Sequence, residues 1–167
     1  VGTVLTNSTG EPIGIINAVS RKKLLISTRQ KQALEIIAGR AAAEIERMGA
    51  ESERERLTTA VEHAAESISI TGPDGSILYA NPAFYETTGY TSSEVIGKTP
   101  QILKSGQHPA EFYQHLWSTI SAGNRWKGEV VNKRKNGDLY TSTSSISPVK
   151  KADGNVLNFV WIAKDIS

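Results

Sequence analysis

Between residues 34 and 48 the apolar side chains recur at intervals of three or four residues, at Leu34, Ile37, Ala41, Ile45 and Met48. This spacing predicts an amphipathic helix, and its apolar stripe is narrow enough to be typical of a coiled coil. Ser27 and Gln30 have the spacing of a capping box, so the helix is expected to begin there.

A charged segment, GAESERER at Gly49–Arg56, follows the stripe and has no apolar side chain larger than alanine. We interpret it as a solvated helical linker. Apolar spacing resumes at Leu57 and Val61, which predicts that the helix continues to about residue 65. Gly49 is the poorest helix former of the segment, and a kink there would turn the linker into a hinge.

The segment before the helix has the pattern of two strands. Gly2–Thr6 and Ile13–Ala18 are separated by the turn-forming residues NSTGEP, which predicts a β-hairpin. A hairpin and one helix bury too little surface to form a stable core by themselves. We therefore expect the chain to be a fragment, cut inside an upstream domain.

The second half of the chain has the pattern of five strands. Two lie between residues 68 and 80, joined by the turn TGPDG. The other three are Trp126–Arg134, Leu139–Ser147 and Val156–Ala163, with an Asn-Gly turn between the first two. Helical spacing falls between the two groups, most clearly in Pro109–Ala122. The expected fold class is α+β: a five-stranded antiparallel sheet with short helices inserted after its second strand, preceded by a β-hairpin and a long linker helix.

A strand-to-helix corner is expected near residue 81. Ile77–Ala80 is predicted as a short strand, Asn81 is a good helix cap, and Pro82 suits the first helical position. Ten residues further on, Thr91 and Glu94 have the spacing of a second capping box, which predicts another short helix.

Both faces of the last predicted strand are apolar: Leu157, Phe159, Trp161 and Ala163 share one face, and Val156, Val160 and Ile162 the other. A sheet with one wet side would alternate apolar and polar residues, so the outer face is expected to be covered. The helix that carries Leu57 and Val61 is the expected cover, from the same chain or from a second copy.

The predicted strand Leu139–Ser147 has hydroxyl side chains at its centre, TSTSS at Thr141–Ser145. Because every residue of this run carries a hydroxyl, hydroxyls line the inner face whichever of the two faces that is. Small hydroxyls on an inner face leave space and hydrogen-bonding groups where a core would have larger apolar residues. The pattern indicates a ligand pocket, and an exposed edge strand would give the same pattern. The sequence leaves both interpretations open.

Composition narrows the class of protein. With 38% hydrophobic and 22% charged residues among 167, the chain is of the globular type, and a net charge of +2 favours no strongly charged partner. It has no cysteine, which excludes disulfides, thiolate metal sites, cysteine nucleophiles and a light sensor that bonds its chromophore to sulfur. The sequence contains no run of about 18 apolar residues and no secretory leader, so we expect a cytoplasmic protein without a membrane span.

Candidate catalytic and metal-binding residues are few. The three histidines, His63, His108 and His115, are too scattered to chelate a metal, and no phosphate-binding loop or metalloprotease motif occurs. We expect this chain to have no enzyme activity. One basic set lacks interleaved aromatic residues, so we interpret it as a solvated hairpin without a nucleic-acid partner: Lys127, Lys133, Arg134, Lys135, Lys150 and Lys151.

The run LYANPAFYETTGYTSSEVIGK resembles the core motif of the PAS domain, a sensor module of bacterial signalling proteins, almost position for position. The order of predicted strands and helices is also similar to that of PAS domains, as is the final Asp-Ile-Ser. Upstream, GEPIGIINAVSRKK and a helix ending in AAAEIERM resemble the last hairpin and helix of a GAF domain. These resemblances imply a GAF-like fragment at residues 1–48, a charged linker at 49–56 and a PAS domain at 57–167.

Within the PAS family the chain is most similar to flavin-binding redox sensors, which share FYQHLW and a strand of the form W-x-G-x-x-V-N-x-R-K. In those relatives a tryptophan of the long helix and an asparagine of the following strand contact the flavin ring, and these positions fall on Trp117 and Asn132. An indole offers a flat apolar wall, and an amide donates to and accepts from the polar edge of the ring. The candidate cofactor-binding residues are Trp117, Asn132, Val130, Phe84 and Ser144.

The identity of the cofactor stays open. Thr99-Pro100 differs from the Asn-Glu pair of the flavin-binding nitrogen regulators, so an unidentified small ligand and an empty pocket remain alternatives to FAD. Haem-binding relatives use a histidine of the long helix, which makes His115 the candidate, but its spacing places it at a half-exposed position.

The resemblance implies a sensory input and dimerisation module of a bacterial signal-transduction protein. Such a module senses a small ligand or relays a conformational signal through its flanking helices. The alternatives are an FAD-binding redox sensor and a ligand-free protein-interaction module. We expect a homodimer through the N-terminal and linker helices, and a downstream output domain of the same chain, such as a histidine kinase or a cyclase.

Overall fold

The computed structural model describes residues 1–21 and 26–167, which divide into two compact units, Val1–Thr58 and Thr59–Ser167. The first unit contains the antiparallel hairpin of β1 (Gly2–Thr6) and β2 (Pro12–Asn17), close to the predicted bounds. One helix, α1 (Thr28–Glu62), begins in the first unit and ends in the second.

The start of α1 has the predicted capping box. The backbone N–H of Ser27 donates to Gln30 Oε1 at 2.9 Å, and the N–H of Gln30 donates to Ser27 Oγ at 3.3 Å. The helix is continuous through Gly49, and the hinge at that residue stays a prediction. None of the helices within the described ranges is long and apolar enough to cross a membrane.

The core of the first unit is small. Its buried apolar residues are Leu5 of the hairpin and Ala38 and Ala42 of α1. The helix therefore packs its alanines, rather than the larger residues of its predicted stripe, against the hairpin. Ile45 and Met48 of that stripe stay 49% and 58% exposed.

The second unit is built on a five-stranded antiparallel sheet with the strand order β4-β3-β7-β6-β5. Its strands are β3 (Ser67–Thr71), β4 (Ile77–Ala80), β5 (Trp126–Lys133), β6 (Leu139–Lys150) and β7 (Val156–Asp165). Between β4 and β5 the chain forms α2 (Pro82–Thr88), α3 (Ser92–Val95), a 3-10 helix (Pro100–Leu103) and α4 (Ala110–Ser121). The predicted α+β class, with helices inserted after the second strand of the sheet, is confirmed.

Two clusters of buried apolar side chains form the core of the second unit. The first cluster joins β4 to the short helices and contains Ile77, Ala80, Phe84, Val95 and Leu103. The second cluster joins α4 to the sheet and contains Leu116, Ile120, Trp126, Val130 and Phe159.

The central strand β7 is apolar on both faces, as the sequence shows, but the two faces are not equally covered. Phe159 and Ala163 are buried, Val160 is half-buried, and Ile162 is 38% exposed. The expected complete cover of the outer face stays a prediction.

Asn81 joins the end of α1 to the sheet and to α2. This buried amide accepts from the N–H groups of Ile68 (2.9 Å) and Phe84 (3.1 Å), and it donates to the carbonyls of Val61 (3.2 Å) and Glu66 (3.0 Å). The Val61 carbonyl also accepts from the N–H of Ala64 at 3.3 Å, an i→i+3 bond that closes the helix, so α1 ends a few residues earlier than predicted. The predicted role of Asn81 as the cap of α2 is confirmed.

Candidate functional site

A cavity of ≈ 450 Å³ lies within the second unit. Residues of β3, β5, β6, β7, α4 and the 3-10 helix line it. The volume falls in the range of about 300–1,000 Å³ that is usual for small-ligand pockets. Much of the wall is apolar, as such pockets require, and includes Leu116, Ile120, Val130, Ile146 and Phe159.

Trp117 of α4 lines the cavity. Its side chain is 39% exposed, and its ring meets the ring of Phe159 edge to face at a centroid distance of 6.1 Å. A Cβ placed on Gly75, in the turn between β3 and β4, would lie 3.3 Å from Cη2 of the indole. Phe159 and this turn therefore fix the position of the indole.

Asn132 of β5 brings a buried amide to the cavity. It is 4% exposed, and its Nδ2 donates to Ser142 Oγ at 3.1 Å. The Ser142 hydroxyl in turn lies 3.1 Å from the Ser144 hydroxyl, which forms a short buried chain of hydrogen bonds. Within the described residues nothing donates to Asn132 Oδ1, so this oxygen is available to a donor on a ligand.

Two buried side-chain polar atoms of the described residues have no hydrogen-bond partner, Ser69 Oγ and Trp161 Nε1. The two residues are opposite each other in the register of β3 and β7. Trp161 lines the cavity and also packs against the first cluster. Because an unpaired buried polar group costs about 1–3 kcal/mol, a rearrangement that gave the indole N–H an acceptor would be favourable.

The predicted cofactor-binding residues do not all meet at the cavity. Trp117, Val130 and Asn132 are among its lining residues. Phe84 belongs to the first cluster, where it is 2% exposed. Ser144 is buried and linked to Asn132 through Ser142, but it is not a lining residue.

The row of hydroxyls on β6 does not belong to an edge strand, since β6 lies between β5 and β7. Ser142 and Ser144 point into the core and are 0% and 2% exposed. The edge-strand interpretation is therefore wrong, and the hydroxyls form the polar layer next to Asn132.

Several lining residues were not among the predicted site residues. Thr71, Lys104, Tyr113 and Trp161 come from four different elements or loops. Lys104 Nζ lies 4.8 Å from the centroid of the Tyr113 ring, and burial raises the pKa of the Tyr113 phenol. The strand pattern includes Trp161 and the FYQHLW run includes Tyr113, but neither assigns these residues to a pocket, because only the folded sheet brings them together.

The histidines do not form a metal site. Within the described part of the chain, no group of three or more histidine, aspartate or glutamate side chains is placed to hold a metal ion. His115 is exposed and lies outside the cavity lining. His108 instead supports β5, since its Nε2 accepts from the N–H of Val131 at 2.8 Å and its ring stacks on Phe112.

Arg134 holds the end of the last strand. Its guanidinium pairs with the Asp165 carboxylate, donates to the carbonyl of Thr87 and lies over the Tyr140 ring at 4.4 Å. Burial alone would raise the pKa of Asp165, but hydrogen bonds from Ser167 and the charge of Arg134 outweigh it and lower the pKa. Two members of the predicted basic set are therefore neutralised, because Lys135 also pairs with a carboxylate, that of Glu94.

A family model described as PAS domain matches residues 65–167, which include the whole five-stranded sheet and the cavity. The resemblance of residues 1–48 to a GAF domain stays a prediction.

Individual relatives agree with this match. The nitrogen fixation regulatory protein of Klebsiella oxytoca is 38% identical over 109 residues, which are 65% of this chain and 22% of that protein. The high affinity cAMP-specific and IBMX-insensitive 3′,5′-cyclic phosphodiesterase 8A of Homo sapiens is 37% identical over 106 residues, 64% of this chain and 13% of the enzyme. The chain thus spans less than a quarter of the length of either curated relative.

A solved structure of an RNA-binding Light-Oxygen-Voltage receptor is also similar, with a TM-score of 0.64 and 28% sequence identity. The superposition covers 68% of this chain and 33% of that receptor. Since the family model covers more than half of the sequence and the described sheet has the expected strands, the chain belongs to the PAS domain family.

Proposed function

We propose that this PAS domain is the sensory input module of a signal-transduction protein, and that it binds a flat amphipathic ligand, a flavin, in its cavity. The main support for this proposal is the cavity. Protein interiors are close-packed, so a space of ≈ 450 Å³ with apolar walls and a free amide oxygen favours a ligand rather than an empty core. The similarity to a regulatory protein of nitrogen fixation supports the same class of function.

The residues present fit a flavin. The apolar walls and the indole of Trp117 suit a flat ring, and the unused Oδ1 of Asn132 suits an N–H on its polar edge. Trp161 offers a second donor once its side chain rearranges, because its Nε1 has no acceptor among the described residues. No thiol takes part, since the chain has no cysteine, and sensing through a bond to sulfur is excluded.

A bound flavin would supply a ring whose protonation and hydrogen bonding change on reduction. The first residue of this chain to respond to such a change is Asn132, whose amide also donates a hydrogen bond to the Ser142 hydroxyl. Trp161 lines the cavity and packs against the first cluster, which contains Ala80. The next residue, Asn81, donates a hydrogen bond to the Val61 carbonyl at the end of α1. A change in the cavity thus reaches α1 through packed and hydrogen-bonded residues, and an output domain of the same chain reads it.

Reconstitution with FAD tests the proposal. We expect the purified protein to retain FAD with a structured visible absorbance band. Asn132→Ala and Trp117→Ala should each weaken binding about tenfold, since each removes a polar or aromatic contact of the ring.

The matched controls are Asn155→Ala, at an exposed turn, and Leu78→Ala, on the edge strand. Both should bind FAD as the unchanged chain does. A protein that stays colourless after refolding with excess FAD would contradict the flavin proposal.

A second candidate function, dimerisation, is favoured by the stripe on α1. Ile37, Ile45 and Met48 are 57%, 49% and 58% exposed although they are spaced as a coiled-coil seam. We propose that a second copy of the chain covers this stripe, so that the module signals as a homodimer.

A further inference from the structure

His108 lies between the 3-10 helix and α4 and is half-buried, whereas His63 and His115 are exposed. The Nε2 atom of His108 accepts the backbone N–H of Val131 at 2.8 Å. The ring stacks on Phe112 at a centroid distance of 4.0 Å and meets the Tyr113 ring edge to face at 6.1 Å. The imidazole is therefore held between α4 and β5.

The bond to Val131 forms only with a neutral imidazole. A ring nitrogen that accepts an N–H has no proton of its own, so the proton of the neutral ring is on the other nitrogen, here Nδ1. In the charged ring both nitrogens are donors. Protonation of His108 would thus set one N–H against another and break the bond. Histidine is the side chain that ordinarily changes its charge between about pH 5 and pH 8.

The bond holds one edge of the sheet next to the cavity. Since β5 is the last strand in the sheet order, no described strand lies at its outer edge. The segment between the 3-10 helix and α4 covers that edge instead, and there Ser105 Oγ also donates to the Val131 carbonyl. Lys104 of the same segment forms an antiparallel bridge with Asn132, the next residue of β5. A shift of this edge would therefore move the Asn132 amide, which lines the cavity.

A charge on His108 would have no ion-pair partner among the described residues, since none of their ion pairs includes it. The charged or titratable side chains beside its contacts, on the same segment, on α4 and on β5, are Lys104, Glu111, Tyr113, Glu129 and Lys133. All of them except Tyr113 are exposed. Burial raises the pKa of the Tyr113 phenol, so this group stays neutral where histidines titrate. A proton on His108 therefore breaks the bond to Val131 and forms no ion pair in its place.

We propose that His108 is a proton-sensitive positioning residue: the neutral imidazole holds β5 next to the cavity, and protonation releases this edge. A fall in pH is then a second signal that the second unit detects, in addition to a ligand in its cavity. The proposal goes beyond ligand binding and is tested without any ligand, so its outcome is independent of the flavin proposal.

NMR spectroscopy of the ligand-free, isotope-labelled chain between about pH 8 and pH 5 tests the proposal, because histidines titrate in this range. Three signals are followed: the ring nitrogens of His108, the protection of the Val131 amide from hydrogen exchange, and the side-chain amide of Asn132. Protection is expressed relative to an unstructured peptide at the same pH, which removes the intrinsic pH dependence of exchange.

His108→Gln is the matched variant, because the glutamine oxygen accepts an N–H and does not titrate. The controls are His63→Gln and His115→Gln, which make the same change at the two exposed histidines.

At the high end of the range we expect a neutral His108 ring with its proton on Nδ1. As the ring takes up a second proton, the Val131 amide should lose about tenfold in protection, as the loss of one ordinary hydrogen bond provides. The Asn132 side-chain signals should shift with the same midpoint. In His108→Gln both signals should stay constant over the range, whereas the two control variants should keep the transition.

A His108 ring that titrates while the Val131 and Asn132 signals stay constant overturns the proposal. So does a ring that remains neutral down to about pH 5, or a transition that persists in His108→Gln. The first two outcomes are observed in the unchanged chain, so they do not depend on the folding of a variant.

Discussion

The two units of the chain differ in where their apolar side chains lie. The largest fully buried side chains of the described residues, among them Ile77, Leu103, Ile120 and Val95, all belong to the second unit. The first unit buries Leu5, Ala38 and Ala42, while Leu34 of its helix is half-buried and the other large apolar residues of the helix stay exposed.

This difference separates a unit with two clusters of buried residues from a unit with a small core. The second unit has two clusters of five buried residues and still has space for a cavity between its sheet and α4. The first unit has more large apolar surface than its small core uses, and such surface is typical of an interface. The two proposed functions, ligand binding and dimerisation, thus fall in different parts of the chain.

Replacing one large buried side chain in each unit by alanine should give the largest difference in the free energy of unfolding. Phe84→Ala is expected to lower the free energy of unfolding of the second unit by about 3–5 kcal/mol, because it leaves a cavity among close-packed residues. All three tryptophans, Trp117, Trp126 and Trp161, lie in the second unit, so urea unfolding followed by tryptophan fluorescence reports on it alone.

Leu5→Ala is the matching change in the first unit. It should leave the fluorescence transition unchanged and cost about 2 kcal/mol, the low end for a buried leucine, in the transition followed by circular dichroism. Equal losses in the fluorescence transition for the two variants would show that the units do not have separate cores.

Asn81→Ala should give an intermediate effect. The change removes four hydrogen bonds of a fully buried amide, and the N–H of Ile68 and the carbonyl of Glu66 lose their bonds to this side chain. We expect the second unit to lose about 2–4 kcal/mol, since each unpaired buried group costs about 1–3 kcal/mol and some regain water.

The same fluorescence experiment measures the loss, with Asn155→Ala at an exposed turn as the control. A loss below about 1 kcal/mol, near the typical value of a surface change, would show that Asn81 does not hold α1 to the sheet.

Ile45→Asp should have the smallest effect on stability and a clear effect on assembly. An exposed substitution changes the free energy of unfolding by about 0.5 kcal/mol or less, but a charge in an apolar seam opposes its burial in a dimer. Light scattering should find dimers of the unchanged chain and monomers of the variant.

Ala43→Asp adds the same charge to an exposed residue about 200° around the helix and should remain dimeric. A monomeric unchanged chain at high micromolar concentration would overturn the proposed homodimer.

Local features of the fold were predictable from the sequence, because a few neighbouring residues determine them. Both capping boxes form as predicted, at Ser27 and at Thr91, and the five strands are found near their predicted bounds. The sequence predicts the end of α1 three residues too late, and it gives no sign that the Val61 carbonyl there also binds Asn81, a residue distant in the chain.

The candidate site was predictable only where a family motif marked it. Trp117 and Asn132 line the cavity, but Lys104 and Trp161 join them through a β-bridge and a strand order that no local pattern encodes. Phe84 shows the same limit, since an apolar helical residue fits the first cluster and a pocket wall equally well.

The contact between Gly75 and Trp117 has an evolutionary consequence. Gly75 has a φ of 83°, which side chains rarely adopt, and an added Cβ would crowd the indole at 3.3 Å. Two positions more than 40 residues apart thus share one small volume. Homologous sequences that have a bulkier residue at position 75 should have a smaller one at position 117, so the two positions should vary together. Such sequences should lack the aromatic side chain that Trp117 provides at the cavity.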